Sequence, residues 1–103
     1  MGIGMNYGID EESKRKIVAV LSALFPQAEI YLFGSRARKT HSQWSDIDIT
    51  LKEDKKISRY AIGEAVSMLG ASNMPYKIDV VDFNSVTDDM RKSIEDEGVL
   101  WKK

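Results

Sequence analysis

The chain has no cysteine, one histidine (His41), two prolines and no long apolar run. Without thiols it has no disulfide framework, thiolate zinc site or cysteine nucleophile, and one imidazole does not build a histidine metal centre. The missing cysteines fit a cytoplasmic protein, the compartment expected here. Nowhere do about 18 apolar residues follow one another, so no membrane association is expected. An excess of one charge is also missing. Fifteen Lys and Arg stand against 16 Asp and Glu, a net charge of -1, which removes the basic field that non-specific nucleic-acid binding relies on. Direct nucleic-acid binding is therefore not expected. The start, residues 1–8, has no basic segment, apolar stretch or cleavage site and reads as a loose leader. What is present is 103 residues, 43% hydrophobic and 30% charged, the make-up of one globular domain over 1–103.

Helix and strand alternate along the chain. Asp10 is an N-cap candidate, Glu11 and Glu12 suit a first turn, and Ile17, Val18, Leu21, Leu24 and Phe25 form a helical stripe that Pro26 stops. Ala28 to Phe33 is apolar and partly β-branched or aromatic, and reads as a strand delivered to the tight turn Gly34-Ser35. Arg36 to Thr40 predicts one helical turn and His41 to Ser45 a loop. Asp46 to Leu51 alternates polar with apolar, the period of a half-buried strand. Ile57, Ala61, Ile62, Ala65, Val66 and Leu69 predict a helix that Gly70 ends with a positive φ. Lys77 to Phe83 predicts a third strand. Ser85 with Asp88 reads as a capping box for a helix over Val86, Met90 and Ile94. Gly98 ends that helix, leaving Val99-Leu100-Trp101 as an edge strand or packed tail.

The chemistry concentrates in three places. Asp46 and Asp48 are two apart on a strand, so both leave the same face while Ile47, Ile49 and Leu51 go to the other. Two carboxylates side by side repel, and a divalent cation removes that repulsion. Asp79 interrupts the apolar run Ile78, Val80, Val81 and Phe83, where an unpaired charge is expensive. The bland alternatives are a solvated face for the pair, satisfaction by Lys77 or a backbone amide for Asp79, and strand-end capping for Asp82. Three oxygen ligands suit Mg²⁺, and the three carboxylates are expected to converge on a common centre. Two such ions can clamp an attacking and a leaving oxygen. The amides of Gly34 and Ser35 can bind anionic oxygens, since only glycine lets the backbone approach a triphosphate closely, and Arg36 and Arg38 can add charge beside them. Metal-assisted phosphoryl chemistry thus has its parts, whereas acyl transfer and covalent catalysis do not.

The string Gly34-Ser35-Arg36-Ala37-Arg38, then Ser45-Asp46-Ile47-Asp48-Ile49, then Ile78-Asp79-Val80-Val81-Asp82 resembles the minimal nucleotidyltransferases of the DNA polymerase β superfamily, over nearly the whole chain. That resemblance implies an α/β (α+β) palm with a small mixed β-sheet packed by about four helices. It implies that Asp46 and Asp48 bridge two Mg²⁺ ions and that Asp79 holds the ion activating the attacking hydroxyl. Gly34 and Ser35 would bind the β and γ phosphates of ATP. The family often has a glycine after the second arginine where this chain has Lys39-Thr40, which leaves the loop conformation open. Minimal members of this kind resemble antitoxins whose partner is a HEPN toxin, and the implied reaction is transfer of AMP from ATP to a tyrosine of that partner. The alternatives are a non-catalytic module masking a partner, and transfer to a small hydroxylated molecule such as an aminoglycoside. A palm alone leaves its site open, so a complex is expected, with self-association left open and Trp44, Met74 and Trp101 as candidate exposed contacts.

Overall fold

The computed structural model describes residues 7–103. Its first helix, α1 (Glu11–Leu24), begins where Asp10 accepts a hydrogen bond from the Ser13 amide at 3.0 Å, and Glu11 and Glu12 occupy the first turn. A cap of this kind is worth about 1 kcal/mol. Ile17 and Leu21, four apart, are fully buried, as the helical period requires. The Phe25 amide closes the helix on the Leu21 carbonyl, one residue before Pro26.

There follow β1 (Glu29–Phe33), the short α2 (Gly34–Ala37), β2 (Ile47–Lys52), α3 (Arg59–Gly70), β3 (Ile78–Asp82), a 3-10 turn (Phe83–Ser85), α4 (Asp88–Glu97) and β4 (Val99–Lys102). The four strands form one mixed sheet in the order β3-β2-β1-β4. β1 is antiparallel to both β2 and β4, while β2 and β3 are parallel. A parallel pair needs a crossover, and α3 supplies it. The expected architecture, a small mixed sheet with four helices, is what the chain forms.

Alternation along the strands separates two faces. Ile30, Leu32, Ile47, Ile49 and Leu51 are fully buried together with Ile17 and Leu21 of α1 and Ala65 and Leu69 of α3. Each large apolar side chain so removed from water contributes about 1.5–3 kcal/mol. On the other face α4 lies against β1, with Ile94 buried near Tyr31 and Phe83. No helix among the described residues is long and apolar enough to cross a membrane.

Four local expectations need correction. Gly70 lies inside α3 without a positive φ; Ala71 is the C-cap in right-handed conformation, and it is Asn73 that turns left-handed at φ 61. The α4 cap is Thr87, whose hydroxyl accepts from the Met90 amide, because Ser85 is taken up by the 3-10 turn and donates to Asp82. Asp79 is exposed, not buried, since β3 is an edge strand and nothing among the described residues covers that side. The leader reading fails for Tyr7 and Gly8, whose carbonyls the Arg36 guanidinium binds; residues 1–6 lie outside the described part.

Candidate active site

β1 ends, and β2 and β3 begin, at the same end of the sheet, and the three motifs meet there. The register pairs Phe33 with Asp48 across the antiparallel ladder and Asp48 with Asp79 across the parallel one. Residues in register on neighbouring strands share a face, with Cβ atoms about 5 Å apart. Asp46 stands two residues before Asp48, at the entry to β2, on the same side by alternation.

The electrostatics report this crowding. Partial burial, then the charges of Asp79 and Asp46, push the Asp48 carboxyl above its usual value, while Arg38 and Arg36 pull it back. Asp48 is therefore a carboxylate whose neighbours oppose its ionisation. Among the described residues no three His, Cys, Asp or Glu side chains stand together closely enough to enclose a metal ion. Strand register sets Asp48 beside Asp79, but the expected convergence of the three carboxylates on a common centre is not seen among the described residues.

The donor set fits a hard divalent cation nonetheless, since all three groups offer carboxylate oxygen and none offers sulfur or nitrogen. A second observation is the close approach of Gly34 to Asp48. Gly34 has φ 78, and a Cβ there would run into Asp48 Oδ2 and come within 3.1 Å of its Cγ. Only glycine meets both demands, a left-handed backbone and a bare surface against the carboxylate. The first amides of α2, at Gly34 and Ser35, have no acceptor within so short a helix and so remain donors for an external oxygen.

The two arginines part company. Arg38 is half exposed, lowers the Asp48 carboxyl and is held only by a half-exposed ion pair with Glu97 of α4 at 3.5 Å, a weak tie that an anion can displace. Arg36 is different. It is 1% exposed, and its guanidinium donates to the Ser45 carbonyl at 2.9 and 3.2 Å, to Gly8 at 2.9 Å and to Tyr7 at 3.1 Å, over the Tyr76 ring. The expectation that Arg36 binds phosphate is corrected: its fork is spent on backbone, tying α2 to the residue that precedes Asp46. That use was hard to read in sequence, because carbonyl groups and phosphate oxygens attract the same donors.

Lys39 takes up the question of the missing glycine. Its φ is 62, so the loop keeps the left-handed turn and lysine carries the strain. Asp82, read as a capping residue, accepts from the Ile57 and Asn84 amides and the Ser85 hydroxyl and stands outside the site. Of the three candidate contacts, Trp44 is 83% exposed, whereas Met74 and Trp101 pack against the core.

Comparison with known proteins identifies a family for the chain. The family described as Polymerase beta, Nucleotidyltransferase matches residues 15–102. The probable protein adenylyltransferase MntA of Haemophilus influenzae is 23% identical over 86 residues, 84% of this chain and 75% of that protein. A chain of a solved toxin-antitoxin complex with AMP-PNP superposes with a TM-score of 0.74 at 29% identity, over 87% of this chain and 73% of that one. A chain of the tri-AMPylated Shewanella oneidensis HEPN toxin in complex with MNT antitoxin superposes at 0.71 and 26% identity, over 92% and 74%.

Proposed function

The chain belongs to the polymerase β nucleotidyltransferase family, and from that premise we propose that it is a single-domain, cytoplasmic antitoxin that transfers AMP from ATP to a tyrosine hydroxyl of a HEPN-type toxin. The observation that carries the reading is the row Phe33, Asp48 and Asp79 with Gly34 pressed against Asp48. A module that only masked a partner would have no use for mutually opposed carboxylates beside a glycine turn whose amides are left as donors. The relatives add support, one being named for adenylyl transfer to protein and another solved with a HEPN toxin carrying AMP.

In this reading Asp46, Asp48 and Asp79 would hold two Mg²⁺ ions. When bound, divalent ions lower the pKa of an attacking hydroxyl and neutralise charge on phosphate oxygens. The Gly34 and Ser35 amides take the β and γ phosphate oxygens, and Arg38, released from Glu97, adds a positive charge. Arg36 takes no part in binding and keeps Ser45, and so Asp46, in place. The tyrosine oxygen forms a bond to the α-phosphorus as the bond to pyrophosphate breaks, and its proton passes to solvent through the open face.

The test is intact-mass measurement of the partner after incubation with this chain, ATP and Mg²⁺. A partner heavier by whole AMP units is expected, and Asp79→Asn should reduce the rate at least about 100-fold, as losing one electrostatic stabiliser does. A tight complex without added mass would replace this reading by masking; label on a small hydroxylated molecule alone would replace it by small-molecule transfer.

A further inference from the structure

We propose that Trp44 is the anchor by which the acceptor protein docks at the mouth of the site, its indole entering an apolar socket on that protein. The inference rests on the chain being a protein-modifying transferase. Among the described residues Trp44 is the most exposed of the large apolar side chains, at 83%, and it stands two residues before Asp46, at most about 7 Å along the chain. Leaving an indole in water forgoes the burial that stabilises a fold, and tryptophan is the residue most enriched among binding hot spots.

The turn that presents it is held firmly. The Trp44 amide donates to Ser42 Oγ at 3.2 Å, the Ser42 amide to Ser45 Oγ at 3.0 Å and the Ser45 amide to the Ser42 carbonyl at 3.2 Å. Arg36 fixes the Ser45 carbonyl from beneath. With the turn's backbone so held, binding has mainly the ring's own rotamers left to order.

A nucleotide base fits this position less well than a protein. At 83% exposure the indole meets little facing wall among the described residues, whereas a base pocket needs enclosure on more than one side. A folded acceptor encloses the ring and brings its hydroxyl toward the carboxylates in one movement. Tyr60, 77% exposed, lies on α3 and serves as a control.

The experiment uses the full chain with the HEPN-type protein of the same host, and measures the Kd of the complex and, separately, the Kd for ATP with Mg²⁺. Trp44→Ala should weaken the complex at least about 30-fold, the loss expected of a hot spot. Trp44→Phe should recover part of it, and Tyr60→Ala should change it less than about 2-fold. ATP affinity should stay within about 2-fold in all three. Absence of a complex with the wild type, an unchanged complex in Trp44→Ala, or an equal loss of ATP affinity would each overturn the proposal. A Trp44-dependent complex in which no AMP is transferred would keep the docking anchor and remove the transferase reading.

Discussion

Asp48 is the residue on which the site turns, and its surroundings work against it. Burial and two like charges raise its carboxyl above the usual value, so the folded chain holds that proton more tightly than the unfolded chain does. Stability from this group is therefore present at acid pH and is lost as pH rises through the window between the usual carboxylate value and the raised one. At neutral pH, without divalent cation, Asp48 is a net cost. We predict that Asp48→Asn abolishes transfer yet raises the Tm in chelator by a few degrees at neutral pH, the gain shrinking to nothing below about pH 4. A melting series from acid to neutral pH checks it, and a lower Tm at neutral pH would mean that Asp48 is satisfied within the protein. The carboxylate positions were legible in the sequence because alternation alone puts Asp46 and Asp48 on one face. The role of Arg36 was not, because the backbone oxygens it binds belong to Tyr7, Gly8 and Ser45, and nothing local in the sequence shows that they meet.

Among the elements, those with a local cause were legible and those with a tertiary cause were not. Asp10 caps α1 through its own third neighbour, an interaction the sequence contains whole. The α4 cap moved from Ser85 to Thr87 because Asp82, anchored to Ile57 from across the crossover, recruits Ser85 into the 3-10 turn. Gly70 failed as a stop because α3 needs no left-handed residue there; the turn comes at Asn73 instead. The segment after α2 shows strain that a substitution can relieve. Lys39 holds φ 62, a conformation costing a non-glycine residue about 1–3 kcal/mol, against about 0.4–1 kcal/mol of extra unfolded-state entropy if glycine replaces it. Lys39→Gly is therefore expected to stabilise the protein by about 1 kcal/mol, with loss of the Lys39 contact over the Tyr7 ring offsetting a small part. Denaturant melts decide this, and a destabilised variant would show that the lysine contacts outweigh the backbone strain.

For the whole molecule, the sheet end that holds the carboxylates is flanked by the short α2, whose Gly34 lies against Asp48. α1 and α3 bury the core face and α4 lies against the other near Tyr31; Arg38 and Arg36 offset only part of the repulsion around Asp48, and a bound cation would relieve the rest. A ligand that binds the folded chain alone adds RT ln(1 + [L]/Kd) to its stability, about 2.7 kcal/mol at 100 times Kd. For a chain of this size that corresponds to about 10 °C or more in Tm. We predict such a rise with Mg²⁺, dependent on its concentration, and its disappearance in Asp79→Asn. The control is potassium at matched ionic strength, because screening of exposed like charges by salt would also raise the Tm. Specific binding and screening differ in form: the former follows the logarithm of Mg²⁺ concentration and needs Asp79, the latter follows ionic strength and does not. An equal rise with potassium, or a full rise in Asp79→Asn, would take the cation away from these three carboxylates and with it the premise that this end of the sheet is built to hold one.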